Sequence, residues 1–322
     1  MSKVRIGVMG CANIARRSVI PAMLKSGLFD VVSIASRSMA KAQEFAKEFN
    51  CEAVEGYENL LNNDNIDAIY MPLPTGLHEE WVDKCLSNGK HILCEKSLAM
   101  DFASAQRMVE KAKEKNLLLM ENFMFLYHSQ HQFIKEQIAN NELGEIRCFR
   151  SSFGFPPLRE GNFRYDKAAG GGSLLDAAAY TVRASQLFLG DDLKVEAAVL
   201  NTSGDHEVDI YGGAFLKSPS GAFSEVAFGF DNFYQCEYEI WGSKGKLIAK
   251  KAFTPKPGEK PTIIIQKQDK QDVFQVPADD HFVNILTEFA NCIQKGNFDS
   301  KYREIINQSR LLDELRRKSE AV

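Results

Sequence analysis

Lys3 to Ala15 reads KVRIGVMGCANIA: a β-rich apolar run to Met9, then Gly10-Cys11-Ala12-Asn13-Ile14-Ala15, then a helical stretch towards Lys25. A glycine turn between a first strand and a helix lets phosphates approach bare backbone and the positive end of the helix. The usual spacing, G-x-G-x-x-G/A, stands here as Gly10-x-Ala12-x-x-Ala15, with alanine at the second position. Ala12 still permits fairly close approach, and Asn13 and Ile14 complete the turn. Position decides its meaning, because the turn follows the first strand and opens the first helix.

The chain downstream keeps that rhythm. Val31 to Ala35 ends at Ser36-Arg37-Ser38, Ile66 to Met71 meets Pro72-Leu73-Pro74-Thr75, and His91 to Cys94 ends abruptly in Glu95-Lys96-Ser97. Leu117 to Met120 is a further strand. Helical spacing fills the intervals, as in Ala42, Phe45, Ala46 and Phe49, or His78, Trp81, Val82 and Cys85. Strands alternating with helices predict a doubly wound parallel sheet.

After about Asn122 the segments lengthen and alternate. Cys148 to Phe155, Val195 to Thr202, Tyr211 to Leu216, Ala222 to Phe230, Cys236 to Trp241 and Lys246 to Lys250 read as strands. Turns such as Ser218-Pro219-Ser220-Gly221 and Gly242-Ser243-Lys244-Gly245 separate several of them. One helix, Ser173 to Leu189, interrupts the set, and amphipathic helices close the chain. The expected class is α/β: a dinucleotide-binding domain over residues 1–122 and an α+β domain over residues 123–322. The second carries a large, mostly antiparallel open sheet, and the last helix is expected to pack back on the first domain.

A chain of 322 residues with 25% charged residues fits two soluble domains. Its net charge of -4 leaves no electrostatic footprint for nucleic acid or an anionic membrane. No apolar run reaches membrane-spanning length, and with a strand read from Val4 onward no signal peptide is expected. Seven cysteines without a C-x-x-C pair point to reduced thiols in the cytoplasm and give no zinc spacing. His128 and His131 lack a third ligand, so no metal is expected.

The end of the second strand selects the cofactor. An acidic residue there suits the ribose 2′-hydroxyl of NAD, and an arginine suits the 2′-phosphate of NADP. This chain offers Ser36-Arg37-Ser38 with Lys41 one turn on, and no Asp or Glu between Val31 and Ala40. NADP(H) is therefore favoured, with Arg37 as the clamp and Ser36 and Lys41 assisting.

Hydride transfer to a ketone needs a proton donor and a cation near the forming alkoxide. Lys96, at the carboxyl end of its strand, is a candidate cation. The donor candidate lies in Gly170-Gly171-Gly172-Ser173-Leu174-Leu175-Asp176-Ala177-Ala178-Ala179-Tyr180. Asp176 and Tyr180 are four apart and share a helix face, with Arg183 three further on.

These stretches together resemble the Gfo/Idh/MocA oxidoreductase family (glucose-fructose oxidoreductase, inositol dehydrogenase and relatives). The turn at Gly10, Pro72-Leu73-Pro74-Thr75 with His78, Glu95-Lys96, the Gly170 run into Asp176 and Tyr180, and Glu121-Asn122-Phe123-Met124 with His128 all carry the resemblance. It implies a Rossmann domain followed by an α/β domain whose open sheet often forms a homodimer or higher homo-oligomer. It implies Lys96 as the central catalytic residue, with Pro72, Leu73, Thr75, His78 and Glu95 at the nicotinamide end of the cofactor. Tyrosine at 180, Cys11-Ala12 and the Ser-Arg after the second strand are similar to NADPH-dependent keto-sugar reductases and dimeric dihydrodiol dehydrogenases. Two departures stand out. Ser97 replaces the family's usual proline, which leaves the geometry of the Lys96–Ser97 bond open, and Ala178 stands where many relatives have glycine.

The resulting reading is an NADP(H)-dependent oxidoreductase of a ring ketone or secondary alcohol on a sugar, and foremost a keto-sugar (nucleotide-sugar) reductase. Tyr180 protonates the alkoxide, Lys96 stabilises it, and Asp176 orients Tyr180, Lys96 or a substrate hydroxyl. Asn122 is a further contact at the cofactor, and Arg164, Arg183, His128 and Phe153 are candidates at the substrate. An NADP+-dependent aldose or trans-dihydrodiol dehydrogenase uses the same residues in reverse. A cofactor-sensing regulator without chemistry is disfavoured by the presence of both Lys96 and Tyr180.

Overall fold

In the computed structural model, which describes residues 2–204 and 206–320, the first sheet is wholly parallel. Its strands are β1 (Val4–Met9), β2 (Phe29–Ser36), β3 (Glu52–Glu55), β4 (Ala68–Met71), β5 (His91–Cys94) and β6 (Leu119–Glu121). They lie in the order β3-β2-β1-β4-β5-β6. Parallel neighbours need crossovers. These are α1 (Ile20–Ser26), α2 (Met39–Phe49), α3 (Tyr57–Leu61), α4 (His78–Ser87) and α5 (Phe102–Lys115). The apolar runs follow from burial on both faces: every residue of β4 is buried, and so are Ile92, Leu93 and Cys94 of β5. The strand order reverses between β1 and β4, which is where open α/β sheets take their ligands.

The second sheet has eight strands in the order β14-β13-β12-β11-β7-β10-β9-β8. They are β7 (Ile146–Gly154), β8 (Lys194–Asn201), β9 (Tyr211–Lys217), β10 (Phe223–Gly229), β11 (Gln235–Gly242), β12 (Lys246–Lys250), β13 (Thr262–Lys267) and β14 (Lys270–Gln275). Only β7 and β10 pair in parallel; the other neighbours are antiparallel. Helix α6 (Ser129–Ala139) precedes this sheet, and α7 (Ala179–Leu189) packs on β7 and β10. The alternation read from the sequence is the alternation of burial: in β11, Cys236, Tyr238 and Ile240 point to the core while Trp241 is exposed. The hairpin of β13 and β14 falls in a stretch to which sequence reading assigned no element.

Two closing helices follow, α8 (His281–Lys295) and α9 (Asp299–Glu320). By contact the chain divides into two compact units. The first runs up to Phe123 and takes back Phe282–Ile306; the second holds Met124–His281 and the chain from Asn307 onward. This differs from a single cut after residue 122. Within the first unit Phe289 stacks on Phe29 at 6.4 Å, Phe298 meets His91 edge-on at 5.8 Å, and Tyr302 donates its hydroxyl to Leu117 O at 2.7 Å. The last helix was expected to return to the first domain; it is α8, with only the start of α9, that belongs to the first unit. Among the described residues no helix is long and apolar enough to cross a membrane.

Candidate active site

Gly10 holds φ at +121°, a conformation that L side chains rarely adopt, and a Cβ there would stand 3.1 Å from Leu73 Cδ2. Bare backbone at the end of β1 is what a dinucleotide phosphate needs, and Gly10 N donates to Ala35 O of the neighbouring strand at 2.9 Å. The chain then enters a wide π-helical turn, Ala15–Val19, before α1. Asn13 is exposed, and Ala12 and Ile14 are partly so. Cys11 Sγ reaches Lys41 O at 3.7 Å, linking the turn to the start of α2.

At the end of β2, Ser36 is buried, with its hydroxyl oxygen accepting from Ser38 N at 3.3 Å, while Arg37 and Lys41 are exposed. One acidic group escaped the sequence reading. Glu55 pairs with Ser36 across β2 and β3, and its Oε1 accepts from Met39 N at 3.3 Å. That carboxylate sits at the N-terminus of α2, where the helix dipole favours it. Bare backbone at Gly10 with exposed Arg37 and Lys41 beside it fits a phosphorylated dinucleotide.

The ends of β4, β5 and β6 hold the charged pair. Glu95 Oε1 accepts from the Tyr70 hydroxyl at 2.7 Å and from Asn122 Nδ2 at 2.6 Å. Burial pushes the Glu95 carboxyl above the usual carboxylate range, against the pull of those two donors and of the Lys96 charge. Burial, and then the Glu95 charge, likewise holds the Tyr70 phenol well above its ordinary value, so it stays a donor. Asn122 N donates to Cys94 O at 2.8 Å, and its buried Oδ1 has no hydrogen-bond partner among the described residues. That acceptor suits an amide donor from a bound ligand. Lys96 is half-buried, and the peptide bond after it is cis.

Pro72, Leu73 and Thr75 are buried in the loop after β4. His78 is fully enclosed at the start of α4, with Nε2 2.8 Å from Leu73 O and Nδ1 3.1 Å and 3.0 Å from Ser97 O and Leu98 O. Both ring nitrogens face main chain, so His78 ties the loop after β4 to the segment after Lys96. Burial lowers its imidazole below the ordinary value, although the three carbonyls raise it. From the other side Glu121 Oε1 accepts from Leu98 N at 2.7 Å. Neither Tyr70 nor Glu121 stood among the sequence candidates.

In the second unit the glycine run has a steric purpose. Gly172 N donates to Arg164 O and Gly171 N to Asp166 O, both at 2.9 Å, and a Cβ on Gly171 would lie 2.4 Å from Arg164 O. A Cβ on Gly172 (φ +106°) would lie 2.4 Å from Asp209 Oδ1. Asp209 in turn accepts from Ser173 Oγ and Leu174 N, both at 2.6 Å, and so caps the helix; nothing in its local sequence announced this. The loop pressed on the glycines carries Arg164, whose Nε donates to Asp176 Oδ2 at 2.7 Å.

The helix begins as a π-helical turn, Leu174–Ala178, and continues as α7, instead of running uniformly from Ser173. Such wide turns recur at functional sites. Tyr180 is buried, with its hydroxyl directed to Met124 Sδ at 3.8 Å and its ring against Phe153 (5.0 Å), Phe125 (5.7 Å) and Phe253 (5.7 Å). Arg183, expected at a substrate rim, is buried. His128, another substrate candidate, is also buried: its Nδ1 accepts from Gln130 N at 3.1 Å as the cap of α6, and its ring meets His281 edge-on at 5.8 Å. His131 bonds the Tyr238 hydroxyl at 2.7 Å. Among the described residues no group of three His, Cys, Asp or Glu could hold a metal ion.

The family model described as oxidoreductase family, NAD-binding Rossmann fold, matches residues 4–123, and the GFO/IDH/MocA C-terminal domain model matches residues 131–248. The chain is 41% identical over 314 residues to a dTDP-3,4-didehydro-2,6-dideoxy-alpha-D-glucose 3-reductase of Actinomadura kijaniata, covering 97% of this chain and 95% of that one. It is 36% identical to a D-xylose 1-dehydrogenase (NADP(+)) of Haloferax volcanii over 78% of this chain and 77% of the relative. Among solved structures it is similar to a 3-ketoreductase from Actinomadura kijaniata in complex with NADP and TDP-benzene, with TM-score 0.96, 40% identity and 98% of each chain covered. That ketoreductase has also been solved with one lysine replaced and with one tyrosine replaced.

Proposed function

The chain belongs to the Gfo/Idh/MocA oxidoreductase family, and on that footing we propose that it is an NADPH-dependent reductase of a ring ketone on a nucleotide-linked sugar. The observation that carries this reading is the end-to-end similarity to a ketoreductase solved with NADP and a TDP-linked ligand. Lys96 and Tyr180 supply the charge and the proton that such a reaction needs.

Gly10, Ala12, Asn13 and Ile14 would hold the cofactor phosphates, and Ser36, Arg37 and Lys41 the 2′-phosphate. Pro72, Leu73, Thr75, Glu95 and Asn122 would border the nicotinamide, with His78 acting through the loops that it ties. Bound NADPH supplies the hydride. Lys96 offers its ammonium to the carbonyl oxygen as negative charge develops there. Tyr180 gives its phenolic proton to that oxygen. Asp176, braced by Arg164, orients the donor or a substrate hydroxyl, and the rings around Tyr180 keep water from the phenol. The test is NADPH oxidation with dTDP-linked 3-keto and 4-keto sugars, run beside NADP+ with xylose, glucose and a trans-dihydrodiol. Turnover confined to the free aldose or the diol would give the site to the reverse, dehydrogenase reaction.

A homo-oligomer formed through the outer face of the second sheet is part of the same proposal. Pairing register puts Val199, Phe215, Trp241 and Val273 on one face, and all four are exposed. Exposed apolar side chains spread across one face of the sheet suit contact with a second copy. Light scattering after size exclusion should give more than one chain mass, falling to one in Trp241→Glu. The seven free cysteines support a reducing compartment such as the cytoplasm.

A further inference from the structure

Tyr70 lies within a strand whose other residues are Ala68, Ile69 and Met71, and its side chain is fully buried. A phenylalanine would fill that space without bringing a hydroxyl into the core, where an unmatched polar group is costly. The hydroxyl is matched, at 2.7 Å, by Glu95 Oε1. The register explains why. Tyr70 pairs with Leu93 across β4 and β5, and Leu93 with Met120 across β5 and β6. Side chains alternate along strands, so Tyr70, Glu95 and Asn122 project from one face of three adjacent strands. Tyr70 and Asn122 both donate to the same oxygen of Glu95, and the residue that follows Glu95 is Lys96.

We propose that Tyr70 is a positioning residue for the Glu95–Lys96 pair, fixing the Glu95 carboxylate in one rotamer and in its charged form beside Lys96. This rests on the reading of that pair as part of the catalytic site. Burial works against the charge on Glu95, and the two donors with Lys96 work for it. Losing the phenol removes one donor from a group already pushed towards protonation. A tyrosine that only filled the core would affect stability and leave the carboxylate indifferent.

The experiment is a 13C titration of the glutamate carboxyls in the full chain, with Glu95→Gln used to assign the resonance, for wild type and Tyr70→Phe. The Glu95 titration is expected to move to higher pH in Tyr70→Phe; an unmoved titration in the folded variant overturns the proposal. This readout needs neither substrate nor cofactor, so it stands apart from the failure of the wild type to reduce any keto-sugar, which would count against the proposed function. Where turnover is found, kcat at neutral pH should fall roughly tenfold in Tyr70→Phe. It should fall little further when Tyr70→Phe is added to Glu95→Gln; multiplying losses would mean that Tyr70 acts independently of Glu95. Should Tyr70→Phe fail to fold, fluorotyrosine labelling makes the phenol a stronger donor. The Glu95 titration should then move to lower pH, and no movement contradicts the proposal.

Discussion

Arg164 Nε lies 2.7 Å from Asp176 Oδ2, a bond that depends on residues with no side chain. Gly171 and Gly172 accept the 164–166 main chain against the start of the helix that bears Asp176. Gly171→Ala would drive a Cβ to 2.4 Å from Arg164 O, and that carbonyl has to shift. The expected cost is about 1–3 kcal/mol of stability, read as a lower urea midpoint, together with a loss of kcat as Asp176 loses its brace. An unchanged midpoint and rate would show that the loop has freedom the packing denies it.

Arg37 is exposed at the end of β2, and Glu55, paired with Ser36 across β2 and β3, has its carboxylate engaged by Met39 N. Arg37→Ala should weaken NADPH binding by roughly 10- to 100-fold, the scale of a charge-assisted hydrogen bond to phosphate. NADH binding should change little. Fluorescence titration with both nucleotides decides the point, and equal losses for the two would remove Arg37 from the 2′-phosphate.

These two sites also show what could be read in advance. The turn at Gly10, the strand ends at Ser36 and Glu95, and the glycine run before Asp176 were legible because each is a local pattern of a few residues. Tyr70 was not, because AIYM reads as an apolar core strand and the partner of its hydroxyl is 25 residues on. Asp209 caps a helix that begins 35 residues earlier, and Glu55 meets Ser36 only through strand pairing. The hairpin at 262–275 lies in a lysine- and glutamine-rich stretch whose continuous Ile263-Ile264-Ile265 shows no period of two. Long-range partners are fixed by topology, which a local pattern does not carry.

Buried histidines in the second unit give it a pH dependence. Burial, with repulsion from neighbouring histidines, lowers His131 to about 3 and His281 to about 4, and burial lowers His128. Each folded value lies below that of an unfolded histidine, near 6.5. Their neutral forms therefore stabilise the fold fully above pH 6.5, and stability falls as pH drops towards 4. Each histidine contributes a slope of up to about 1.4 kcal/mol per pH unit in that window. Urea unfolding between pH 7.5 and 4.5 should show the decline, with a shallower slope in His281→Leu. An equal slope in the variant would remove His281 from this account.

The most direct measurement is NADPH oxidation by the full chain with a dTDP-linked keto-sugar, for wild type, Lys96→Ala and Tyr180→Phe. Sugar-dependent turnover is expected in the wild type, with losses on the order of 10²–10⁴ in kcat/KM for each variant and both variants still folded and binding NADPH. Turnover left unchanged by both substitutions would contradict the roles given to Lys96 and Tyr180.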